Sequence, residues 1–282
     1  MIKITGNIPI KKTKEEIDFY LENGPKFGKI LKELERYIKN HPNVRSLDLN
    51  KLFRSTCESV FNKYYPIYPF ENQLDSSNFR FNNSICISVD NCITHGKNEI
   101  SSGDYYDVNH WNTLSIDCGV SLFVNKKYSN QRLNFDAAFT ISKNNDNWWK
   151  SPLEALKRIK DNNPRNTYEL ASIIEQTADS YNVNQVLALT GHGIGRELHE
   201  APIIHNATGS YRPVNFFEGI VFCAEPIFTE RLDDKSKIED VYIGDDGWSI
   251  YTQSGAFGTH FETMFMQVDN KLIDILNITE LF

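Results

Sequence analysis

The sequence predicts an α+β fold, with helices set apart from antiparallel strands. Three observations predict it. A pair of helical segments followed by strand-like segments occurs twice, before and after about residue 145. The runs 114–124 and 133–141 are separated only by a polar connection, which reads as a hairpin and hence as antiparallel pairing. The chain has 282 residues, 40% of them hydrophobic and 24% charged, enough for a substantial core of ordinary composition. Residues 1–282 are taken as one domain, with 1–65 its helical N-terminal part.

The elements follow in order. Thr13-Lys14-Glu15-Glu16 has the form of a capping box, and Ile17, Tyr20 and Leu21 follow at helical spacing. Pro25 is expected to bend or break this helix. Phe27, Ile30, Leu31, Leu34, Tyr37 and Ile38 continue the stripe to His41-Pro42-Asn43. A second helix is expected over about 48–64, with Leu49, Leu52, Phe53 and Val60 inward. Residues 66–83 are loop-like, and 84–89 alternates as a strand. Ser151 with Pro152 and Glu154 reads as cap, N1 and N3 of a helix running to about Lys160. Another spans about Thr167–Tyr181, with Leu170, Ile173, Ile174 and Ala178 on one face. Strands are expected near 203–205, 219–228, 247–252 and 257–268.

Bulk properties exclude several function classes. Net charge is −7, which leaves no general nucleic-acid footprint. The N-terminal residues carry no apolar signal-type core, and no run approaches the length of a membrane span. The five cysteines show no zinc-type pairing, so free thiols in a cytoplasmic setting are expected.

Gly191-His192-Gly193-Ile194-Gly195-Arg196-Glu197-Leu198-His199-Glu200-Ala201-Pro202 carries the most chemistry. Glycines on either side present His192 without steric cover, as a metal ligand or an acid/base group needs, although a plain turn has the same look. Four acids stand in apolar, strand-like runs: Asp117 in SIDCGV, Asp136 in FDAAF, Glu225 in CAEP and Glu262 in HFET. Such acids are almost never buried unless paired or bound to metal. A shared cation accounts for four of them and a histidine together.

Taken in order, these motifs resemble the type I methionine aminopeptidases of the pita-bread metallopeptidase superfamily, from about Glu15 to the C-terminus. The resemblance implies a curved antiparallel sheet backed by helices, in two pseudo-symmetric halves. It implies two divalent ions, Co, Mn, Fe or Zn. Asp117 would be a terminal ligand on one, His192 and Glu225 on the other, and Asp136 and Glu262 would bridge them. It implies that Glu225 also moves a proton, and that His95, in the Cys92-Ile93-Thr94-His95-Gly96 turn, and His199 contact substrate and stabilise the tetrahedral intermediate. Cys86 and Trp248 match positions around the methionine pocket. Leu198 stands where an aromatic is common, and Phe81-Asn82-Asn83 departs from the usual turn. Members have a tighter hairpin where this chain carries residues 125–132, an insertion of about eight that loop entropy tolerates.

The activity implied is removal of an initiator methionine before a small second residue. The implied partners are peptide and nascent-chain N-termini, with transient ribosome contact, no membrane, and a monomeric protein. Two alternatives stand beside it: an X-Pro aminopeptidase or prolidase-like enzyme, and a non-catalytic pita-bread binding domain. His260 stands where members often carry Gln. On a strand it shares a face with Glu262, so it is expected to hydrogen-bond near the ligands. Cys223 bears the same relation to Glu225 and reads as a small buried side chain.

Overall fold

The computed structural model describes residues 5–6, 8–41, 45–61, 65–67, 85–96, 111–124, 131–143 and 145–282. The first half holds α1 (Lys14–Asn40) and α2 (Ser46–Phe61). Its strands are β1 (Tyr65–Ile67), β2 (Ile85–Val89), β3 (Cys92–Thr94), β4 (Thr113–Phe123) and β5 (Arg132–Ser142). The second half opens with α3 (Ser151–Asn162) and α4 (Thr167–Tyr181). Ten short strands follow. They are β6 (Asn184–Gln185), β7 (Gly191–Gly193), β8 (Glu200–Ile204), β9 (Val221–Ala224) and β10 (Ile227–Thr229), then β11 (Val241–Ile243), β12 (Ile250–Thr252), β13 (Gly258–His260), β14 (Thr263–Val268) and β15 (Lys271–Asp274). A last turn of helix, α5, spans Ile278–Leu281.

Thr13 caps α1 with the expected reciprocal box, its hydroxyl accepting from Glu16 N–H and the Glu16 carboxylate accepting from Thr13 N–H. The helix does not break at Pro25. The residue before a proline normally clashes through its Cβ, and here that residue is Gly24, which has none. Gly24 and Gly28 also let α1 sit against the chain at 275–276: a Cβ on Gly28 would stand 1.9 Å from Leu276 O. Leu21 and Val60, expected inward, are exposed at 38% and 40%, because the buried faces run through Tyr20 and Phe27 in α1 and through Leu49 and Phe53 in α2. Ser151 is the first residue of α3 and not its cap, since a 3-10 turn at Trp148–Lys150 runs straight into the helix.

β4 is the spine of the first sheet, with β5 along one edge and β2 and β1 along the other. The second sheet runs β15-β14-β9-β7-β8. Two three-stranded sheets, β13-β10-β6 and β11-β12-β3, complete the strand layer, and β3 pairs a first-half strand with β12 of the second. Helices pack behind: α1 on β5 and α5, α3 on α4, β10 and β15. One continuous apolar cluster fills the space, with Tyr20 and Phe27 of α1 meeting Phe135 of β5 at ring distances of 5.0 and 6.3 Å. Among the described residues no helix is long and apolar enough to cross a membrane.

Candidate metal centre

Among the described residues a bridge between Ala138 and Glu262 joins the two sheets. Glu262 N donates to Ala138 O at 2.9 Å, and Ala138 N to Glu262 O at 3.4 Å. Ala138 is also the partner of Asp117 across the β4–β5 hairpin, while Asp136 stands opposite Gly119. Asp117 and Asp136 therefore do not stand directly opposite each other in the hairpin. They are diagonal neighbours on one face, still within side-chain reach. Asp117, Ala138 and Glu262 form one row across three strands, and the single methyl of Ala138 leaves the two acids room to converge. Oxygen atoms of Asp117, Asp136 and Glu262 all lie within 4.8 Å of one another. The hairpin closes with Phe123 opposite Arg132, and Val124 N donates to Gln131 O at 3.1 Å. Residues 125–130 of the connection lie outside the described residues, as does Phe81.

His192 comes from the second half. Its GHG segment is a strand, not a free turn, because its glycines let β8 and β9 press close: a Cβ on Gly191 would stand 2.3 Å from Cys223 O, and one on Gly193 2.1 Å from Ala201 O. His192 Nδ1–H donates to Gly193 O at 3.0 Å, which leaves the Nε2 lone pair free to point at the acids. Nε2 lies 3.5 Å from Glu225 Oε1 and 3.9 Å from Glu262 Oε1. Cys223 joins His192 and Glu262 as a second buried group of potential ligands within 4.8 Å.

The electrostatics of this cluster are those of acids in want of a cation. Burial raises the Asp117 carboxyl to about 7. Burial, then the charges of neighbouring acids, pushes Asp136, Glu225 and Glu262 well above the carboxylate range. Burial holds His192 down to about 4, so its imidazole is neutral and can donate a lone pair. Glu262 Oε1 is buried without a hydrogen-bond partner, a state that normally costs about 1–3 kcal/mol. Carboxylates with one imidazole, and an oxygen left open among them, fit a hard-to-borderline dication.

Around this cluster lie the other expected residues. His199 stacks edge-on against His192 at a ring distance of 4.4 Å. Burial, then the charges of His192 and His95, takes it down to about 3. His95 has a left-handed backbone, φ +57°, at the end of β3, and burial takes it down to about 4. Cys86 pairs with Asp117 across β2–β4 and forms its own small buried apolar cluster with Trp248. Leu198 does not join that cluster. It is half-buried and packs against the main core. His205 stacks on Tyr211 at 4.0 Å.

Sequence reasoning missed three supports. Lys12 and Glu200, both buried, form an ion pair at 2.7 Å beneath Gly195, and Glu197 N–H donates to Glu200. Met264 Sδ accepts from Asp136 N–H at 3.4 Å; it lies two residues from Glu262, so strand alternation could have placed it on the site face. Thr140 is two residues from Ala138, and its hydroxyl bonds both backbone groups of His260.

The family model described as metallopeptidase family M24 matches residues 26–266. The chain belongs to metallopeptidase family M24. This M24 chain is 29% identical to a methionine aminopeptidase of Mycoplasma capricolum over 267 residues, covering 89% of this chain and 91% of that one. In fold it matches a methionine aminopeptidase of Rickettsia prowazekii with a TM-score of 0.72 at 20% identity, covering 95% of this chain and 100% of that. A prolidase of Pyrococcus furiosus matches with a TM-score of 0.56, covering 95% of this chain but 65% of that chain. The α+β architecture is thus the pita-bread fold of M24 enzymes, and M24 membership implies a divalent metal cofactor.

Proposed function

We propose that the chain is a methionyl aminopeptidase, hydrolysing the bond after an N-terminal methionine when the second residue is small. One observation carries the reading. The acid–imidazole cluster is walled by Cys86 and Trp248, an apolar pair set beside Asp117 by the β2–β4 register. An apolar surface for an unbranched side chain then stands next to the ligands, as cleavage after one methionine requires. The resemblance to methionine aminopeptidases over nine-tenths of both chains supports it.

Asp117, Asp136, His192, Glu225 and Glu262 would hold two divalent ions, with Asp136 and Glu262 bridging; Co, Mn, Fe or Zn all suit this donor set. When bound, the ions supply an activated water and polarise the scissile carbonyl. Glu225, partly open to the cleft at 13% side-chain exposure, takes a proton at its carboxylate and returns it to the leaving amine. His95 and His199 are neutral imidazoles whose ring N–H groups donate to the oxygen that becomes negative. Lys12 and Glu200 fix the turn that presents His199. Five free cysteines support a cytoplasmic location, where a monomeric, single-domain enzyme would meet nascent N-termini in transient contact with the ribosome.

The test is a cleavage panel on metal-reconstituted protein: Met-Ala, Met-Gly, Leu-Ala, Ala-Pro and Met-Lys peptides, with Asp136→Ala as control. Release of methionine before Ala and Gly alone supports the proposal. Cleavage of Ala-Pro instead would move the chain to the X-Pro peptidases. Absence of cleavage with every metal would point to a binding domain.

A further inference from the structure

Two side chains beside the acids have no part in the chemistry proposed above, His260 and Cys223. His260 Nε2 lies 3.8 Å from Glu225 Oε2, too long for a hydrogen bond, so the contact expected between His260 and a ligand carboxylate is not made. Cys223 is placed differently. It sits on β9 opposite Met264 of β14, two residues before Glu225 and on the same face of the strand. Its sulfur, a ring nitrogen of His192 and a carboxylate oxygen of Glu262 all lie within 4.8 Å of one another. Among the described residues, this is the group of mutually close donors that contains His192.

The three side chains are buried together: Cys223 is 0% exposed, Glu262 2% and His192 3%. His192 Nδ1 is taken by Gly193 O, which leaves Nε2 to face Glu262 Oε1 at 3.9 Å. That oxygen has no hydrogen-bond partner. The Cys223 thiol is close enough to hydrogen-bond the same carboxylate. Donor atoms that share one tetrahedral dication at about 2.0–2.3 Å each stand about 3–4 Å apart. His192 Nε2 and Glu262 Oε1 already stand at that spacing, with the sulfur beside both.

We propose that Cys223 is a thiolate ligand to the ion at the His192 end of the centre, beside His192 and Glu262. This rests on the metal reading given above and adds a sulfur donor to it. The Sγ–H proton goes to water as the ion binds, and the sulfur keeps the electron pair that it donates. A thiolate in the set moves preference from Mn towards Zn. With sulfur, imidazole and Glu262 on that ion, the Glu225 carboxylate is freer to carry its proton.

The experiment is absorption spectroscopy of the reduced full chain, titrated without air with up to two equivalents of Co(II). The wild-type protein should develop a thiolate-to-cobalt charge-transfer band in the near ultraviolet. Cys223→Ser should take up Co(II) without that band, and should bind Zn about tenfold or more less tightly by calorimetry. Cys57→Ala, which removes a thiol of α2, should keep the band. Absence of the band from Co-loaded wild type, or its survival in Cys223→Ser, would overturn the coordination and leave the metal centre standing. Failure of the wild type to take up Co(II) at all would overturn both. Cys223→Ala repeats the comparison if the serine variant folds poorly, and the wild-type spectrum can overturn the proposal without any variant.

Discussion

Ala138 sets the size of the centre. It pairs with Asp117 on one side and Glu262 on the other, and all three side chains share a face. A branched side chain there would fill the space in which the two carboxylates converge. Ala138→Val should therefore lower metal affinity at least tenfold by calorimetry, with an overpacking cost of about 1–3 kcal/mol in a urea titration. Unchanged affinity would mean that the row is looser than its register indicates. His199 makes the opposite case. It is wedged against His192 but is assigned to the substrate and not to the ions, so His199→Ala should keep its metal content while kcat falls about a hundredfold. Metal loss in that variant would recast His199 as a ligand. The acids at this scale were legible in the sequence because each interrupts an apolar run, an arrangement that is unstable without a counter-charge. Ala138 and Thr140 were not, since nothing local marks a small or hydroxylated residue as the neighbour of a site built across strands.

At the scale of elements, α1 and the arm before it hold the site from behind. Gly28 lets α1 lie directly on Leu276, and Gly28→Ala, favourable by helix propensity, should destabilise the protein by about 1–3 kcal/mol because its new carbon meets backbone. A neutral or stabilising result would show that α1 can lift. Lys12 reaches from the N-terminal arm to Glu200. Lys12→Met leaves a buried carboxylate unpaired, which typically costs about 3–5 kcal/mol, and the double variant Lys12→Met, Glu200→Gln should recover part of it. The helices were readable because long periodic runs with clear caps dominate their neighbours; α4 spans the expected residues, with Asn166 accepting from Tyr168 and Glu169 N–H. Pro25 misled because the glycine beside it removes the usual clash. Strands β6, β11 and β15 are two to four residues long, too short for an alternating pattern to show. The GHG segment looked like a turn because glycine frequency carries the same signal for a bend and for close packing of three strands.

At the scale of the whole molecule, the two halves each bring acids into one buried cluster. Asp117 and Asp136 come from the first sheet, Glu225 and Glu262 from the second half, and the halves touch where Ala138 meets Glu262. Without metal this join must be protonated to be stable. Asp117, raised to about 7, keeps a proton that the unfolded chain releases near pH 4, so its contribution is full below pH 4, falls as pH rises and is lost above about 7. Asp136, Glu225 and Glu262 act in the same direction. His95, His192, His199 and His260, held down to about 3–4, act the other way. The unfolded chain protonates them below about 6.5, so their contribution rises with pH up to that point and then stops. The trends oppose each other between about pH 4 and 6.5, and above 6.5 the carboxylates act alone. Metal-free protein should therefore lose Tm as pH rises above 6.5, each proton still retained accounting for about 1.4 kcal/mol per pH unit. Metal replaces those protons, so the Tm gained on adding Mn or Zn should grow with pH across the same range. Thermal melts in chelator and in excess metal at matched pH values measure both slopes. A metal-free Tm that is flat or rising above pH 6.5 would mean that the acids are already ionised and held apart, and that the halves do not depend on the ions to close.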